Sequence, residues 1–137
     1  MSKDKKRILI FDEEVDLTNA IRENFEFRNH NIQVDAVHTY TKALEMISNR
    51  NYDVLLLDVI IPFTQDEKDN FGLTDHNNTG LDFLEHISKM EENGQLVKPK
   101  VVLFSARKRL PDHAEVAFTL SKPMKPRSVL NKVEEIV

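Results

Sequence analysis

The residues of this chain that could do chemistry fall in four short segments. Asp12, Glu13 and Glu14 follow one aliphatic run, Asp58 follows a second, Ser105 a third, and Lys122 with Pro123 stands near the C-terminus. Carboxylates suit a hard divalent cation, and Mg²⁺ in particular completes its shell with waters and phosphate oxygens. A carboxylate can also accept a phosphoryl group as a nucleophile, while a lysine offsets the developing negative charge and a hydroxyl donates to a phosphoryl oxygen. If the fold gathers these acids without a cation, they repel one another and raise at least one carboxylate pKa.

Several other chemistries are excluded. The chain has no cysteine, so it has no disulfide, no Cys-containing zinc site and no thiol nucleophile, as suits a reducing compartment. His30, His38, His76, His86 and His113 show no zinc-like spacing. No glycine-rich phosphate loop, no G-x-S-x-G elbow and no internal repeat occurs. Starting an EF-hand at Asp66 puts Lys68 at the third position and Phe71 where the sharp-turn glycine belongs. A net charge of −4 argues against nonspecific nucleic-acid binding. The apolar run Ile8-Leu9-Ile10-Phe11 behind the basic Lys5-Lys6-Arg7 is too short for a signal peptide or a membrane span. The expectation is a cytoplasmic protein that neither enters a membrane nor binds nucleic acid directly.

The 137 residues suit one domain, 1–137. Residues 7–11 form a short buried run, and 15–27 carry Val15, Leu17, Ala20, Ile21 and Phe25 at helical spacing. Residues 32–37 alternate as a strand, and 41–50 place Ala43, Leu44, Met46 and Ile47 on one helical side. Val54 to Leu57 is a third strand, followed after Thr79-Gly80 by a helix marked by Leu81, Phe83, Leu84, Ile87 and Met90. Val101 to Phe104 and Ala117 to Leu120 supply two more strands, and Pro126 opens a last helix through Val129, Leu130, Val133 and Ile136. Aliphatic strands alternating with helices predict a doubly wound five-stranded parallel α/β sheet covered on both faces. In such a sheet ligands sit beyond the carboxyl ends of the strands, where the chemical residues stand.

The segments ILIFDEE, YDVLLLDVIIP, VVLFSA and SKP, in this order at four strand ends, closely resemble the receiver domain of bacterial two-component response regulators over nearly the whole chain. The resemblance implies the flavodoxin-like strand order 2-1-3-4-5. It implies that Asp58 is the phosphoacceptor and that Asp12 and Glu13 help hold Mg²⁺ together with Asp58 and the Ile60 backbone carbonyl. Ser105 and Lys122 complete the catalytic set, with a cis peptide expected before Pro123. It further implies a phosphorelay role without enzymatic turnover, a sensor histidine kinase or phosphotransfer protein as donor, and a downstream protein partner that reads the phosphorylated state. Ile60 and Arg107 resemble positions that tune phosphoryl lifetime through water access.

Each residue also has a plain structural alternative. Asp12 and Glu13 could be acids opening a helix, Asp58 a turn residue, Ser105 a strand-end hydroxyl and Lys122 a solvated cation. Two rival functions follow: an interaction module that keeps the fold without efficient phosphorylation, and a small Mg²⁺-dependent phosphohydrolase with Asp12 as nucleophile, although DEEVD lacks the D-x-D-x-T of that class.

The sequence departs from the family pattern in three places. Between Pro62 and Gly80 lies an insertion, FTQDEKDNFGLTDHNNT, whose composition predicts a solvated loop at about 63–79. Ser105 and Lys122 stand closer together than is usual, so the fourth helix, with Pro111 in its path, is expected to be short or missing. The usual aromatic switch position is Thr119, with Phe118 beside it as a core candidate. The run Arg107-Lys108-Arg109 reads as a solvated turn or a contact for acids, including those of the insertion.

Overall fold

The computed structural model describes residues 5–107, 110 and 115–137. In chain order the elements are β1 (Lys6–Phe11), α1 (Val15–Arg28), β2 (Ile32–Val37), α2 (Tyr40–Asn49), β3 (Val54–Leu57), α3 (Gln65–Phe71), a 3-10 turn (His76–Asn78), α4 (Thr79–Glu92), β4 (Lys100–Ser105), β5 (Val116–Ser121) and α5 (Pro126–Glu134). All strand pairs are parallel, in the order β2-β1-β3-β4-β5. The predicted sheet is therefore present, and its order reverses at β1, where a ligand crevice belongs.

The strands are apolar throughout because both faces are covered. Alternate residues divide between two cores, as a period of two requires. Leu9, Phe11, Leu55, Leu57, Val101 and Leu103 face α2 and α4, meeting Ala43, Ile47, Phe83, Leu84 and Ile87. Ile8, Ile10, Val54, Leu56, Val102 and Phe104 face α1 and α5, meeting Ile21, Phe25, Val129, Leu130 and Val133. Pro126 stands at the start of α5, where a missing N–H costs nothing. At the sheet edge, β5 is only partly covered: Phe118 is half-buried against the α1/α5 core, and Thr119 is exposed.

The region after β3 differs from expectation. Residues 63–79 are not a solvated loop but hold α3 and the 3-10 turn. Thr64 and Glu67 form a reciprocal capping box: the Thr64 hydroxyl accepts from the Glu67 amide at 3.2 Å, and the Thr64 amide donates to the Glu67 carboxylate at 3.0 Å. Gly72, at φ 68°, closes the helix in the left-handed region. The polar count misled because the acids are divided by face. Asp66 and Asp69 are exposed, whereas Glu67 is buried and accepts from the Thr41 amide and hydroxyl, both at 2.8 Å. Those donors lie in the first turn of α2, so the carboxylate caps a second helix from outside. The Phe71 ring packs on Tyr40 with centroids 4.8 Å apart, and Leu73 is buried in the α2/α4 core.

Between β4 and β5 the described residues are Ala106, Arg107, Leu110 and Glu115, and the expected short or missing fourth helix falls on residues outside the described ones. Lys108, Arg109, Pro111 and His113 lie outside the described residues. Among the described residues no helix is long and apolar enough to cross a membrane.

Candidate functional site

Strand register brings the four chemical segments to one edge. Phe11 pairs with Leu57 and Leu57 with Leu103, so Asp12 and Asp58 leave the sheet at the same height; Ser105 pairs with Ser121, the residue before Lys122. Backbone bonds fix them there: the Asp12 amide donates to Val37 at 3.1 Å, that of Asp58 to Phe11 at 2.9 Å and that of Lys122 to Ser105 at 3.0 Å.

Asp12, Asp58 and Ser105 are all buried. The Lys122 ammonium reaches back between the acids, 2.7 Å from Asp12 Oδ2, 2.8 Å from Glu14 Oε2 and 3.2 Å from Asp58 Oδ2. The Lys122-Pro123 peptide is cis, as the resemblance implied. The other Asp58 oxygen accepts from the amides of Val59 at 2.7 Å and Ile60 at 3.3 Å. Burial pushes the Asp58 carboxyl above the usual range and the neighbouring Asp12 adds to this, while Lys122 pulls the other way. Burial works against the Lys122 charge, but hydrogen bonds to Asp12 and Glu14 and the charge of Asp58 outweigh it and hold its pKa above the ordinary lysine value.

The expected residues converge on one edge, though not all through direct contacts. Glu13 is exposed and lines a cavity of about 140 Å³ with Glu14, Asp58, Ile60, Ala106 and Lys122. Among the described residues no group of three His, Asp or Glu side chains is arranged to hold a metal. The third carboxylate around Lys122 is Glu14, a contact the sequence reading did not anticipate. Glu14 immediately precedes α1, and its amide donates to Asp12 Oδ1 at 2.9 Å; a position two residues beyond Asp12 was the signal available in the sequence. His38 was also missed: its Nδ1 lies 2.8 Å from the Asp12 carbonyl oxygen. The Ser105 hydroxyl accepts from the Arg107 amide at 3.2 Å.

The donor set still fits a hard cation by its chemistry. Mg²⁺ uses only one or two carboxylates beside water and phosphate oxygens, and Asp12 and Asp58 offer two buried ones held together by a single ammonium.

A second close approach fixes the loop carrying Asp58. A Cβ on Gly80 would stand 1.9 Å from the Asp58 carbonyl oxygen, so only glycine lets α4 start against this loop. The Gly80 amide donates to Val59 at 3.0 Å, and the Thr79 hydroxyl donates to Ile61 at 2.5 Å. Gly80 and Thr79 thus tie the end of the insertion to the loop that carries Asp58.

No family model matches the chain, and no curated protein matches it either. Solved structures do. A CheY-like response regulator receiver domain from Methylobacillus flagellatus superposes with a TM-score of 0.74 at 22% identity, covering 98% of this chain and all of that one. The response regulator TrrA from Thermotoga maritima, in complex with Mg²⁺-BeF, superposes with a TM-score of 0.70 at 19% identity, covering 96% and 99% of the two chains. A structure of histidine kinase ThkA in complex with TrrA gives a TM-score of 0.69 at 19% identity over 96% and 98%. Strand order, end-to-end coverage and these superpositions agree: this chain has the fold of response regulator receiver domains.

Proposed function

We propose that the chain is a single receiver domain that accepts a phosphoryl group on Asp58 and signals through a protein partner, without enzymatic turnover. The observation that carries the reading is the buried Asp58 carboxylate at the end of β3, facing Asp12 with the Lys122 ammonium between them. Similar chains have been solved with Mg²⁺-BeF and with a histidine kinase, which supports a phosphohistidine donor and Mg²⁺ here.

In the transfer an Asp58 oxygen forms an O–P bond as the donor N–P bond breaks, and the imidazole nitrogen leaves with the electron pair. The amides of Val59 and Ile60 fix the carboxylate's orientation. Lys122 turns from the carboxylates to the incoming phosphoryl oxygens, whose charge replaces the one it now neutralises. The Ser105 hydroxyl, whose oxygen accepts from the Arg107 amide, turns its O–H to donate to a phosphoryl oxygen. A bound Mg²⁺, held by Asp12, Asp58 and the Ile60 carbonyl with Glu13 close by, would supply further neutralisation of the phosphoryl charge.

The test is peptide-level mass spectrometry after incubation with acetyl phosphate, with and without Mg²⁺. A Mg²⁺-dependent phosphoryl increment on Asp58 that is absent in Asp58→Ala supports the proposal. An increment on Asp12 would point to a phosphohydrolase, and none on either residue to an interaction module.

A further inference from the structure

The 3-10 turn at the end of the insertion touches both loops that flank the phosphoacceptor. From the β3 side, the Ile61 amide donates to the His76 carbonyl at 3.1 Å, and the Phe63 ring lies 4.1 Å from the His76 ring between centroids. From the β4 side, the Arg107 guanidinium donates to the Asn77 carbonyl at 3.2 Å and to Asn78 Oδ1 at 2.7 Å. Arg107 is itself tied to the site, since its amide donates to the Ser105 hydroxyl. A continuous chain of hydrogen bonds therefore runs from Ser105 through Arg107 to Asn78.

Asn78 stands at the start of α4, where an asparagine side chain ordinarily accepts from an amide of the first turn. Here it makes no such cap, and its backbone, at φ −122° and ψ 5°, lies outside the extended range that capping uses. Its oxygen goes to Arg107 instead. The Asn78 oxygen is thus committed to Arg107 and leaves the start of α4 without its side-chain cap.

We infer that the insertion is the signal-responsive element of this chain, with the Arg107-Asn78 contact as its latch. The inference rests on the proposed phosphorylation of Asp58. When Ser105 rotates toward a phosphoryl oxygen, its oxygen moves off the Arg107 amide, the backbone at Arg107 shifts, and the guanidinium is drawn from Asn77 and Asn78. Asn78 then caps α4, and the turn and α3 loosen from the site edge. The insertion holds α3 and the 3-10 turn, bonded to the loops on both sides of the site, and so is placed to carry the change.

The test is hydrogen-deuterium exchange on wild type and Asn78→Ala, with Mg²⁺ and with or without acetyl phosphate, the phosphoryl content of each sample being read by mass. In wild type, phosphoryl uptake is expected to speed exchange across 73–79 about tenfold, the scale of losing one charge-assisted hydrogen bond. Asn78→Ala is expected to show the faster exchange without phosphoryl and no further change with it. Phosphorylated wild type with unchanged exchange at 73–79, or Asn78→Ala with exchange like wild type, overturns the latch while leaving Asp58 as acceptor. Absence of the phosphoryl increment in wild type overturns the acceptor reading and the latch with it, and the mass record tells this apart from the first failure.

Discussion

Replacing Lys122 with methionine takes the cation out from among three carboxylates while keeping most of the side chain's length. The Glu14 pair contributes little: that carboxylate is 54% exposed, and a screened pair of this kind is worth under about 1 kcal/mol. The other two acids decide the size of the effect. Asp12 and Asp58 expose only 3% and 6% of their side chains, and removing one partner of a buried ion pair costs about 3–5 kcal/mol, because it leaves charge that neither water nor protein compensates. Lys122→Met is therefore expected to lower the unfolding free energy by about 3 kcal/mol at neutral pH in urea denaturation without added cation. A cycle with Asp58→Asn identifies the cause. Once Asp58 is neutral, the same lysine substitution leaves only Asp12 uncompensated, so its cost should fall by about half. The reasoning is refuted if Lys122→Met costs less than about 1 kcal/mol, or if its cost is unchanged in the Asp58→Asn background. The first result would mean that the buried carboxylates are hydrated; the second, that the loss comes from the ammonium's contacts with Asp12 and with the Phe104 ring, whose centroid lies 5.3 Å away.

Three further outcomes follow from the packing around the site. Glu67→Gln should cost about 1.5–3 kcal/mol at neutral pH, since the amide can serve the Thr41 donors or the Thr64 amide but not both. Burial pushes this carboxyl up, but the Thr64 and Thr41 amides and hydroxyls outweigh that and hold it below its ordinary pKa; its stabilisation is thus present above the unfolded value and lost as pH falls through the folded one, and urea titrations of the two proteins should converge in acid. Gly80→Ala should cost about 3 kcal/mol or more in the same assay and reduce phosphoryl uptake, because the new methyl meets the Asp58 backbone rather than a side chain that can move. Phe71→Ala should cost about 2 kcal/mol and speed deuterium exchange in α3 before the rest of the chain, because this half-buried ring joins the helix to Tyr40.

The strands and the residues at their ends were readable because both depend on local rules that a parallel sheet enforces. A strand buried on both faces must be apolar at every position, so Val54 to Leu57 announces itself, and a polar residue directly after it must lie at the sheet's edge. The register then aligns those edges without help from the side chains. Which side chains meet there is a different question. Glu13 and Glu14 are adjacent, chemically alike and both exposed, yet α1 starts after Glu14 and it is Glu14 that pairs with Lys122. That choice depends on one backbone turn, which composition and spacing do not encode.

The insertion was misread for a physical reason that the sequence itself contained. Counting Asp, Asn and Lys between Pro62 and Gly80 treats polar residues as equivalent to solvated ones, but a short helix needs only one face buried. Thr64 and Glu67 have the spacing of a capping box, and Phe71 with Leu73 gives the segment something to bury. What no local rule supplies is the role of Glu67 beyond its own helix. Its second oxygen finds the first turn of α2, contributed by residues more than twenty positions earlier. Polar anchoring at one end and Gly80 packed on Asp58 at the other mean that the insertion does not hang from the domain. It is built into the loop that holds Asp58, so a change at Asp58 cannot leave it untouched unless the contacts at Ile61, Gly80 and Arg107 all yield independently.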